Sequence, residues 1–401
     1  MSTNHTLNHI CITDKKNCYG CTSCYAICPH KAIIMKEDER GFKYPLVDEK
    51  KCIDCGLCVK SCPKILGNQH KKTSSFFAVT HCNDEIRTSS SSGGVFSALA
   101  QDVIDRNGVV YGAVYDSDFN VKHIRADNEE WKKMRTSKYV QSDIGDNFEN
   151  VKADLKSGRT VLFTGTPCQV DGLNRYLDNL DKSRLITCDL VCHGVPSPLI
   201  WRDYLELIRN ETRNEIGKVN FRNKRDAGWH NSTLCIENSE GKVLINESHD
   251  KSLFSLLYFS HLILRPSCYF CEYSNLKRAG DISIGDYWGI EKYHPELDDN
   301  KGISLVLVNT GKGRTIIQDL EKKCAFTILC EDECMQPNLK APAQDYGGTE
   351  AFWQTYKKYG LKFAGKRVGC IKADFGDKVR IFAVKVADKI SSLFCKKRKP
   401  E

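Results

Sequence analysis

The sequence lacks the features that would place it in a membrane or on nucleic acid. Its longest apolar stretch, Leu253 to Leu264 (LFSLLYFSHLIL), is too short for a bilayer span and contains serine and histidine. The first residues, MSTNHTLNHICITDKK, contain no apolar core of a signal peptide. The net charge is +8, and basic residues do not alternate with aromatic ones in a stripe that would bind nucleic acid. We therefore expect a cytoplasmic protein with no membrane span and no nucleic-acid partner.

A phosphate-binding Walker motif is also missing, and the basic run near the end, CKKRKP (Cys395 to Pro400), is typical of a solvated tail. Cysteine, in contrast, is abundant, with 21 among 401 residues. Because thiols in the cytoplasm stay reduced, this number favours metal ligation over disulfide bonds.

Eight of the cysteines form two copies of one motif, C-x2-C-x2-C-x3-C-P, in NCYGCTSCYAICPH (17–30) and KCIDCGLCVKSCPK (51–64). This is the spacing of bacterial two-cluster ferredoxins, in which each run supplies three ligands to one cluster and its fourth cysteine to the other. A zinc site is the alternative, but it would use two C-x2-C pairs and leave thiols over. The predicted ligands are Cys18, Cys21, Cys24 and Cys62 for one [4Fe–4S] cluster and Cys52, Cys55, Cys58 and Cys28 for a second.

After these motifs the sequence is typical of an α/β protein. LGNQHKKTSS (66–75) is polar and basic, as a linker would be. Apolar runs that predict buried strands then alternate with helical patterns, which favours an α/β core. Strands are predicted at 108–115, 160–165, 184–192 and 303–310, and a helix at 94–108.

The predicted organisation is therefore a mixture of α+β and α/β domains. It comprises a two-cluster ferredoxin-type domain at 1–70, an α/β domain in two parts at 76–160 and 161–310, and a mainly helical region with the basic tail at 311–401. The helical region ends in an amphipathic pattern at 378–394.

Four further cysteines lie where strands end or a helix begins. TVLFTGTPCQVDGL puts Cys168 after a strand and at the start of a helix, where amide groups would stabilise a thiolate. RLITCDLVCHG puts Cys192 at the exit of another strand, and CYFC (268–271) supplies a C-x2-C pair. From the residues alone these thiols could equally be buried core cysteines, as we expect Cys188 to be.

The segments around these cysteines resemble a known family. GTPCQVDGLNRYL, CDLVCHGVPSPLIW, FRNKRDAGW and CYFCEYSNLKRAGDISIGDYWGI are similar to the beta subunit family of coenzyme F420-reducing hydrogenase and dehydrogenase, over about residues 10–310. The resemblance implies an iron–sulfur flavoprotein with FAD beside a [4Fe–4S] cluster. By the same resemblance this third cluster would be held by Cys168, Cys192, Cys268 and Cys271, with zinc or free thiols as the alternatives.

Three segments resemble the parts of this family that line the flavin. SSSSGGVFSALA places two glycines before a helix whose N-terminus would favour a phosphate, although a serine N-cap explains the pattern equally. RTSKYVQS offers a cation and an aromatic face, and GDISIGDYWG offers a tight turn and a carboxylate. Together with the resemblance they predict an FAD site. The predicted flavin-binding residues are Gly93, Gly94, Lys138, Tyr139, Gly285 and Asp286.

A basic segment, FRNKRDAGWH, contains Arg222, Lys224, Arg225 and His230. These side chains could bind an anionic substrate, or they could form a solvated turn between strands. The sequence does not decide between the two.

These features together predict an oxidoreductase. Clusters pass single electrons, so the rest of the chain should carry the two-electron chemistry. We expect electrons from reduced ferredoxin or a partner protein to cross three clusters to FAD, which exchanges a hydride with an acceptor; the reverse direction fits equally well. An electron-transfer subunit with no substrate of its own is the main alternative, and a cluster-bearing scaffold or redox sensor is a third.

The N-terminal domain is a departure from the family. The hydrogenase subunits have only the later module, whereas this chain adds two clusters in front of it. This puts coenzyme F420 in question as the substrate and favours coupling to ferredoxin. We also expect deletion of residues 1–70 to leave the α/β core folded, with FAD and one cluster bound. The sequence names neither a catalytic residue nor the substrate.

Overall fold

The computed structural model describes residues 8–396. The chain divides into two compact units: the larger contains the chain up to Ser248 together with Leu264–Gln344, and the smaller contains His249–Ile263 and the chain from Asp345. The strands are β1 (Ile33–Glu37), β2 (Lys43–Val47), β3 (Ser75–His81), β4 (Val109–Tyr115), β5 (Val121–Ala126), β6 (Val161–Gly165), β7 (Leu185–Leu190), β8 (Ile216–Asn223), β9 (Thr233–Asn238), β10 (Val243–Ser248), β11 (Ile282–Asp286), β12 (Ser304–Val308) and β13 (Cys324–Leu329).

The helices lie before, between and after these strands. They are α1 (Ser23–Ile27), α2 (Leu57–Lys60), α3 (Pro63–Leu66), α4 (Asp84–Thr88), α5 (Val95–Asp105), α6 (Asn147–Lys156), α7 (Pro167–Tyr176), α8 (Pro198–Thr212), α9 (Leu253–Phe259), α10 (Ile290–Tyr293), α11 (Gly311–Leu320), α12 (Glu331–Cys334), α13 (Thr349–Arg367) and α14 (Phe375–Lys396). Short 3-10 helices cover Lys15–Asn17, Glu129–Met134, Pro266–Phe270, Pro295–Leu297 and Pro337–Leu339. Among the described helices, none is both long and apolar enough to cross a bilayer.

A mixed sheet of eight strands forms the centre of the larger unit, in the order β13-β3-β12-β11-β7-β6-β4-β5. Its middle strands β4, β6, β7 and β11 are parallel, and β5 and β12 pair antiparallel with β4 and β11 at the two ends of this parallel block. Every residue of β6 and of β12 is buried, which accounts for the continuous apolar runs VLFTG and SLVLV. A separate antiparallel sheet, β10-β9-β8, carries the segment that begins FRN.

The predicted α/β core is confirmed. The apolar runs at 108–115, 160–165, 184–192 and 303–310 form β4, β6, β7 and β12, and the helical pattern at 94–108 forms α5. Cys188 lies on β7 and is fully buried in the apolar core, as predicted.

The N-terminal part of the larger unit is a ferredoxin-type domain. A hairpin of β1 and β2 places Ile33 opposite Val47. The helices α1 and α2 each begin directly after a residue in the left-handed conformation, Thr22 at φ 67° and Gly56 at φ 75°. These turns reverse the chain within each cysteine motif, so that three cysteines of the motif can face one point.

The segment predicted as a linker, residues 66–75, packs instead against the α/β core. The side-chain amide of Asn68 donates to the carbonyls of Glu272 and Lys277, at 2.8 Å in each case. Thr73 is buried, and its backbone amide donates to the carbonyl of Leu276 at 2.8 Å. The side chain of Asn68 and the backbone of Thr73 thus bind backbone groups of the core, and composition alone does not distinguish such a segment from a solvated linker.

The predicted helical region at 311–401 contains a strand of the central sheet. β13 pairs antiparallel with β3, with Cys324 opposite His81. Its residues CAFTIL alternate only loosely between buried and exposed, so the pattern by itself does not indicate a strand. The amphipathic pattern at 378–394 falls within α14, which belongs to the smaller unit with α9 and α13. Residues 397–401 of the basic tail lie outside the described residues.

Candidate functional site

The two ferredoxin-type motifs gather their cysteines around two cavities. We call Cys18, Cys21, Cys24 and Cys62 the first set, and Cys28, Cys52, Cys55 and Cys58 the second set. The first set lines one small cavity and the second set lines another. Each cavity thus receives three cysteines from one motif and the fourth from the other, which is the exchange that the spacing predicts.

The chemistry of both sets fits an iron–sulfur cluster. All eight cysteines are free thiols. Burial, and after it the charges of neighbouring cysteines, raise the pKa of Cys21 and of Cys24, so a bound cation would be needed to keep both as thiolates. Backbone amides donate to sulfur, as they do around thiolate-held clusters. The donors are Gly20 to Cys18 at 3.4 Å, Ala32 to Cys28 at 3.3 Å and Ile10 to Cys58 at 3.3 Å.

The four later cysteines also converge, and we call Cys168, Cys192, Cys268 and Cys271 the third set. Burial, with a smaller contribution from the charge of Cys271, raises the pKa of Cys168 and of Cys192 to about 12. Burial likewise raises the pKa of Cys268, and the other three members of the set contribute. The amide of Val195 donates to the sulfur of Cys268 at 3.4 Å. Four thiols are therefore brought together by elements that are far apart in the sequence. These elements are the start of α7, the chain after β7 and the helix Pro266–Phe270.

A buried ion pair holds two of these elements together. The guanidinium of Arg278 donates to Asp189 on β7 at 2.5 Å, and both side chains are at most 1% exposed. The other carboxylate oxygen of Asp189 accepts the amides of Ala279 and Gly280 at 3.0 and 2.8 Å. The segment that carries the C-x2-C pair is thereby fixed to the strand that leads to Cys192.

The first and third sets are neighbours. Gly172 on α7 packs on Cys21, and a Cβ added to this glycine would lie 3.0 Å from the Cys21 sulfur. The charge of Cys168 is among the causes, after burial, that raise the pKa of Cys21. The pKa of Cys24 is likewise raised first by burial, then by Cys18 and Cys62 of the first set, and then by Cys58 of the second set. The three sets therefore form a series in the order second, first, third.

Arg265 lies between the first and third sets and is only 1% exposed. Its guanidinium donates to the carbonyl of Cys18 at 2.8 Å, to the carbonyl of Lys43 at 3.0 Å and to the Cys18 sulfur at 3.5 Å. It also donates to Gln141 at 2.9 Å and stacks on Tyr44 at 4.3 Å from the ring centre. A fixed positive charge is thus buried against a predicted cluster ligand.

The segments predicted to line a flavin lie against one another. The hydroxyl of Ser91, in the SSSSGG loop, accepts the backbone amide of Ser137 at 2.7 Å. Lys224, in the FRNKR segment, donates to the carbonyl of Ser92 at 3.4 Å and to that of Lys301 at 2.6 Å. The glycine loop, the 135–142 segment and the basic segment therefore surround a common region.

Aromatic and charged side chains converge at this region. The ring of Tyr139 lies 5.3 Å from that of Phe221. Arg222 is buried, its Nε has no hydrogen-bond partner, and its guanidinium lies 4.9 Å from the ring centre of Trp288. Asp286 is 3.5 Å from Arg222 and accepts a hydrogen bond at 2.8 Å from the indole of Trp229, which stacks on Trp288. This arrangement offers a flat aromatic surface beside a partly compensated cation.

Other predicted flavin residues are engaged inside the protein. A Cβ on Gly93 would lie 2.2 Å from the carbonyl of Val79, so this glycine is needed where the loop crosses the sheet. Gly94 has φ 93° and begins α5. Gly285 is packed on Val191, with an added Cβ 2.8 Å away. Burial lowers the pKa of Lys138 to about 7, and its ammonium donates to the carbonyls of residues 134–136.

The basic segment is split between two environments. Arg222 and Lys224 face the region just described, and burial lowers the pKa of Lys224 to about 8. Arg225 pairs with Glu237 at 2.8 Å, and His230 pairs with Asp298 at 2.7 Å. The four side chains therefore differ in environment: Arg222 and Lys224 bind groups inside the protein, whereas Arg225 and His230 pair with carboxylates.

The cysteine motifs and their two cavities define an iron–sulfur protein of the two-cluster type, and residues 17–65 match the family described as "4Fe-4S dicluster domain". Residues 158–332 match the family described as the C terminus of the "Coenzyme F420 hydrogenase/dehydrogenase, beta subunit". This segment follows the dicluster domain, and its match confirms the resemblance that the sequence shows to that family.

Twelve chains of known structure match the fold significantly. One comes from the F420-reducing [NiFe] hydrogenase complex of Methanosarcina barkeri, in a structure determined after xenon derivatization. That chain is 17% identical in sequence, and the TM-score is 0.46. The match covers 75% of this chain and 92% of that one. A comparison with curated proteins found no significant match.

Sequence reasoning missed three residues of this site, Arg265, Arg278 and Trp288. Arg265 lies three positions before Cys268, and Arg278 lies in the motif that follows the C-x2-C pair. Basic residues close to a predicted cluster ligand are a usable signal. Nothing in the sequence, however, shows that their guanidinium groups are buried.

Proposed function

We propose that the chain is an iron–sulfur flavoprotein oxidoreductase that transfers electrons between ferredoxin, or another redox protein, and a two-electron acceptor. The observation that carries the proposal is the series of three cysteine sets, which continues from the dicluster domain into the α/β core. When bound, [4Fe–4S] clusters would supply one-electron transfer and FAD would exchange one or two electrons. The third set, Cys168, Cys192, Cys268 and Cys271, would hold a third cluster.

The proposed flavin region is the one around Tyr139, Arg222, Asp286 and Trp288. Arg222 supports it because a buried guanidinium with an unpaired Nε is costly unless an anionic or carbonyl group of a ligand completes its hydrogen bonds. Trp288 supports it by presenting an aromatic face, 39% exposed, beside that cation. The same cationic face suits an acceptor with negative charge, and coenzyme F420 is one candidate.

The proposed entry for external electrons is the second set. Cys55 is exposed, and Ile53 and Leu57 beside it are 62% and 39% exposed. An exposed ligand surrounded by apolar side chains suits brief docking of a small redox protein.

The alternative function is that of an electron-transfer subunit with no substrate of its own. The family description as a beta subunit favours it. Turnover separates the two: the isolated chain, reduced through its clusters, either converts a small two-electron acceptor or does not.

Metal and flavin analysis tests the proposal first. Anaerobically purified protein should contain about twelve iron atoms and one acid-released FAD per chain. The double variant Cys268→Ala/Cys271→Ala should contain about eight, while Cys188→Ala, which removes a buried thiol outside the three sets, should still contain about twelve. Eight irons in the unaltered protein, or protein that stays flavin-free with saturating FAD, would overturn it.

A further inference from the structure

The last helix of the smaller unit presents a continuous apolar face to solvent. On α14, Phe375, Val379, Phe382 and Val386 follow at spacings of four, three and four, and they are 83%, 55%, 70% and 40% exposed. At 3.6 residues per turn these four lie within about 60° of one another around the helix. We call them the α14 stripe. Large apolar side chains grouped in this way mark an interaction surface, whereas scattered ones would not.

The other side of α14 is occupied by α13. Asp377 forms an ion pair with Lys366. The guanidinium of Arg380 lies 5.0 Å from the ring centre of Phe363, and Ile381 is buried. These contacts fix the rotation of α14 about its axis, so that the α14 stripe is directed away from α13.

The charge of the helix indicates what covers the α14 stripe. Lys378 and Lys385 are both exposed and lie at one edge of the stripe, about 40° and 60° from Phe382 around the helix. Between residues 375 and 399 the sequence has eight basic residues and two acidic ones. The basic residues are Lys378, Arg380, Lys385, Lys389, Lys396, Lys397, Arg398 and Lys399, and the acidic ones are Asp377 and Asp388.

An apolar stripe edged by lysines is complementary to the surface of an anionic bilayer. Aromatic and aliphatic side chains can enter the boundary of the acyl chains, while lysine stems remain beside them and the ammonium groups reach lipid phosphates. Each basic residue close to such a surface strengthens binding. An antiparallel second copy of the helix, packed stripe against stripe, would instead bring two like-charged lysine edges together.

We propose that α14 binds the chain peripherally to an anionic lipid membrane, with the α14 stripe in the interface and its lysines on the headgroups. The proposal does not depend on the clusters or the flavin. The helix would lie parallel to the membrane surface and would not cross the bilayer, because its other side is polar and packs on α13.

Vesicle sedimentation of the full chain tests this inference. The protein should bind vesicles of phosphatidylcholine with about 30% phosphatidylglycerol at least about tenfold more strongly than pure phosphatidylcholine, and about 0.5 M salt should weaken the binding. Phe382→Ser should weaken binding on the order of tenfold. Lys378→Gln/Lys385→Gln should weaken binding only to the anionic vesicles.

The matched control is Ile328→Ser, which removes an apolar side chain that is 79% exposed on β13 and should leave binding unchanged. Unchanged iron content and circular dichroism in each variant verify folding. Absence of binding by the unaltered protein, or equal binding by Phe382→Ser, would overturn the proposal. So would light scattering that shows a dimer which Phe382→Ser dissociates, since the stripe would then be covered by a second copy.

Discussion

The buried histidine His123 is a single residue with a predictable effect on stability. Its Nδ1 lies 2.7 Å from the hydroxyl of Ser142 and its Nε2 lies 2.8 Å from the carbonyl of Thr164. Its ring stacks on Phe163 at 5.4 Å. Burial lowers the pKa of His123 to about 4, so the folded protein keeps this imidazole neutral where the unfolded chain, with a pKa near the ordinary 6.5, takes up a proton.

The sign of the pH effect follows from that difference. Between about pH 6.5 and 4 the unfolded chain binds more protons at this site, so the free energy of unfolding decreases as the pH falls through this range. The loss from His123 alone amounts to about 3 kcal/mol by pH 4. His123→Asn should be less stable than the unaltered protein at pH 7, with the difference shrinking toward pH 4. Unfolding midpoints measured under anaerobic conditions at several pH values check this; parallel curves for the two proteins would refute it.

Arg265 is a single residue with a predictable effect on redox potential. Its positive charge, 3.5 Å from the Cys18 sulfur, favours the more negative, reduced state of a cluster at the first set. Arg265→Met should lower the midpoint potential of that cluster, on the order of tens of millivolts, and Arg265→Lys should lower it less. Redox titration followed by electron paramagnetic resonance measures the shift. Arg202→Met, which breaks an exposed ion pair with Glu37, is the control and should leave the potential unchanged.

Among the structural elements, β7 and the segment after the C-x2-C pair depend on the ion pair of Asp189 with Arg278. Removing one partner leaves the other charge buried and unpaired. Arg278→Met should therefore reduce the free energy of unfolding by about 3–5 kcal/mol, and it should release iron from the third set because Cys192 and Cys271 lose their common support.

A double variant checks that explanation. Arg278→Met combined with Asp189→Asn removes both charges, leaves an amide oxygen that can still accept the backbone amides of Ala279 and Gly280, and should recover part of the lost stability. Denaturant unfolding of the two single variants and the double variant gives the coupling energy. Additive effects would show that the pair is not what holds the two elements together.

For the whole molecule, the structure contradicts the sequence-based picture of a ferredoxin domain behind a free linker. Tyr19 and Ala26 of that domain belong to the same apolar cluster as Val109 and Phe163 of the central sheet. The hydroxyl of Tyr25 also donates to Asp146 at 2.7 Å. The domain is thus part of the core of the larger unit.

Deletion of residues 1–70 should consequently destabilise the α/β core rather than leave it intact. The deletion uncovers apolar core surface and removes the carbonyls that bind Arg265, and we expect a loss of at least about 3 kcal/mol. Expression of residues 71–401 beside the full chain, with solubility and thermal unfolding as readouts, checks this. A truncated protein as stable as the full chain would contradict it.

Electron entry is better tested by a point variant than by deletion. If the proposed function holds, Cys55→Ser should slow reduction of the proposed flavin by ferredoxin at least about tenfold and leave its reduction by a two-electron donor unchanged, because only the proposed outer cluster is impaired. Cys11→Ser changes another exposed cysteine, outside the motifs, and is the control. Stopped-flow bleaching of the flavin measures both rates. Equal rates with ferredoxin for Cys55→Ser and the unaltered protein would show that electrons enter elsewhere.

The dicluster domain and the main strands of the α/β core can be predicted from the amino-acid sequence alone. Three cysteines of each motif lie within seven residues, so local turns at Thr22 and Gly56 suffice to gather them. Strands such as β6 and β12 are buried on both faces and therefore appear as continuous apolar runs. In these cases the structural cause is local, and a short stretch of sequence contains all of it.

Which distant groups meet is visible only in the folded chain. The third set draws its cysteines from positions 168 to 271, and the sequence suggested this set only through a family resemblance. The region proposed for the flavin joins the glycine loop to Arg222 and Trp288. The packing of residues 66–75 and the burial of Arg265 could not be predicted at all. The reason is physical: whether a polar or charged side chain faces water or a buried partner depends on what the sheet topology places opposite it, and composition is the same in both cases.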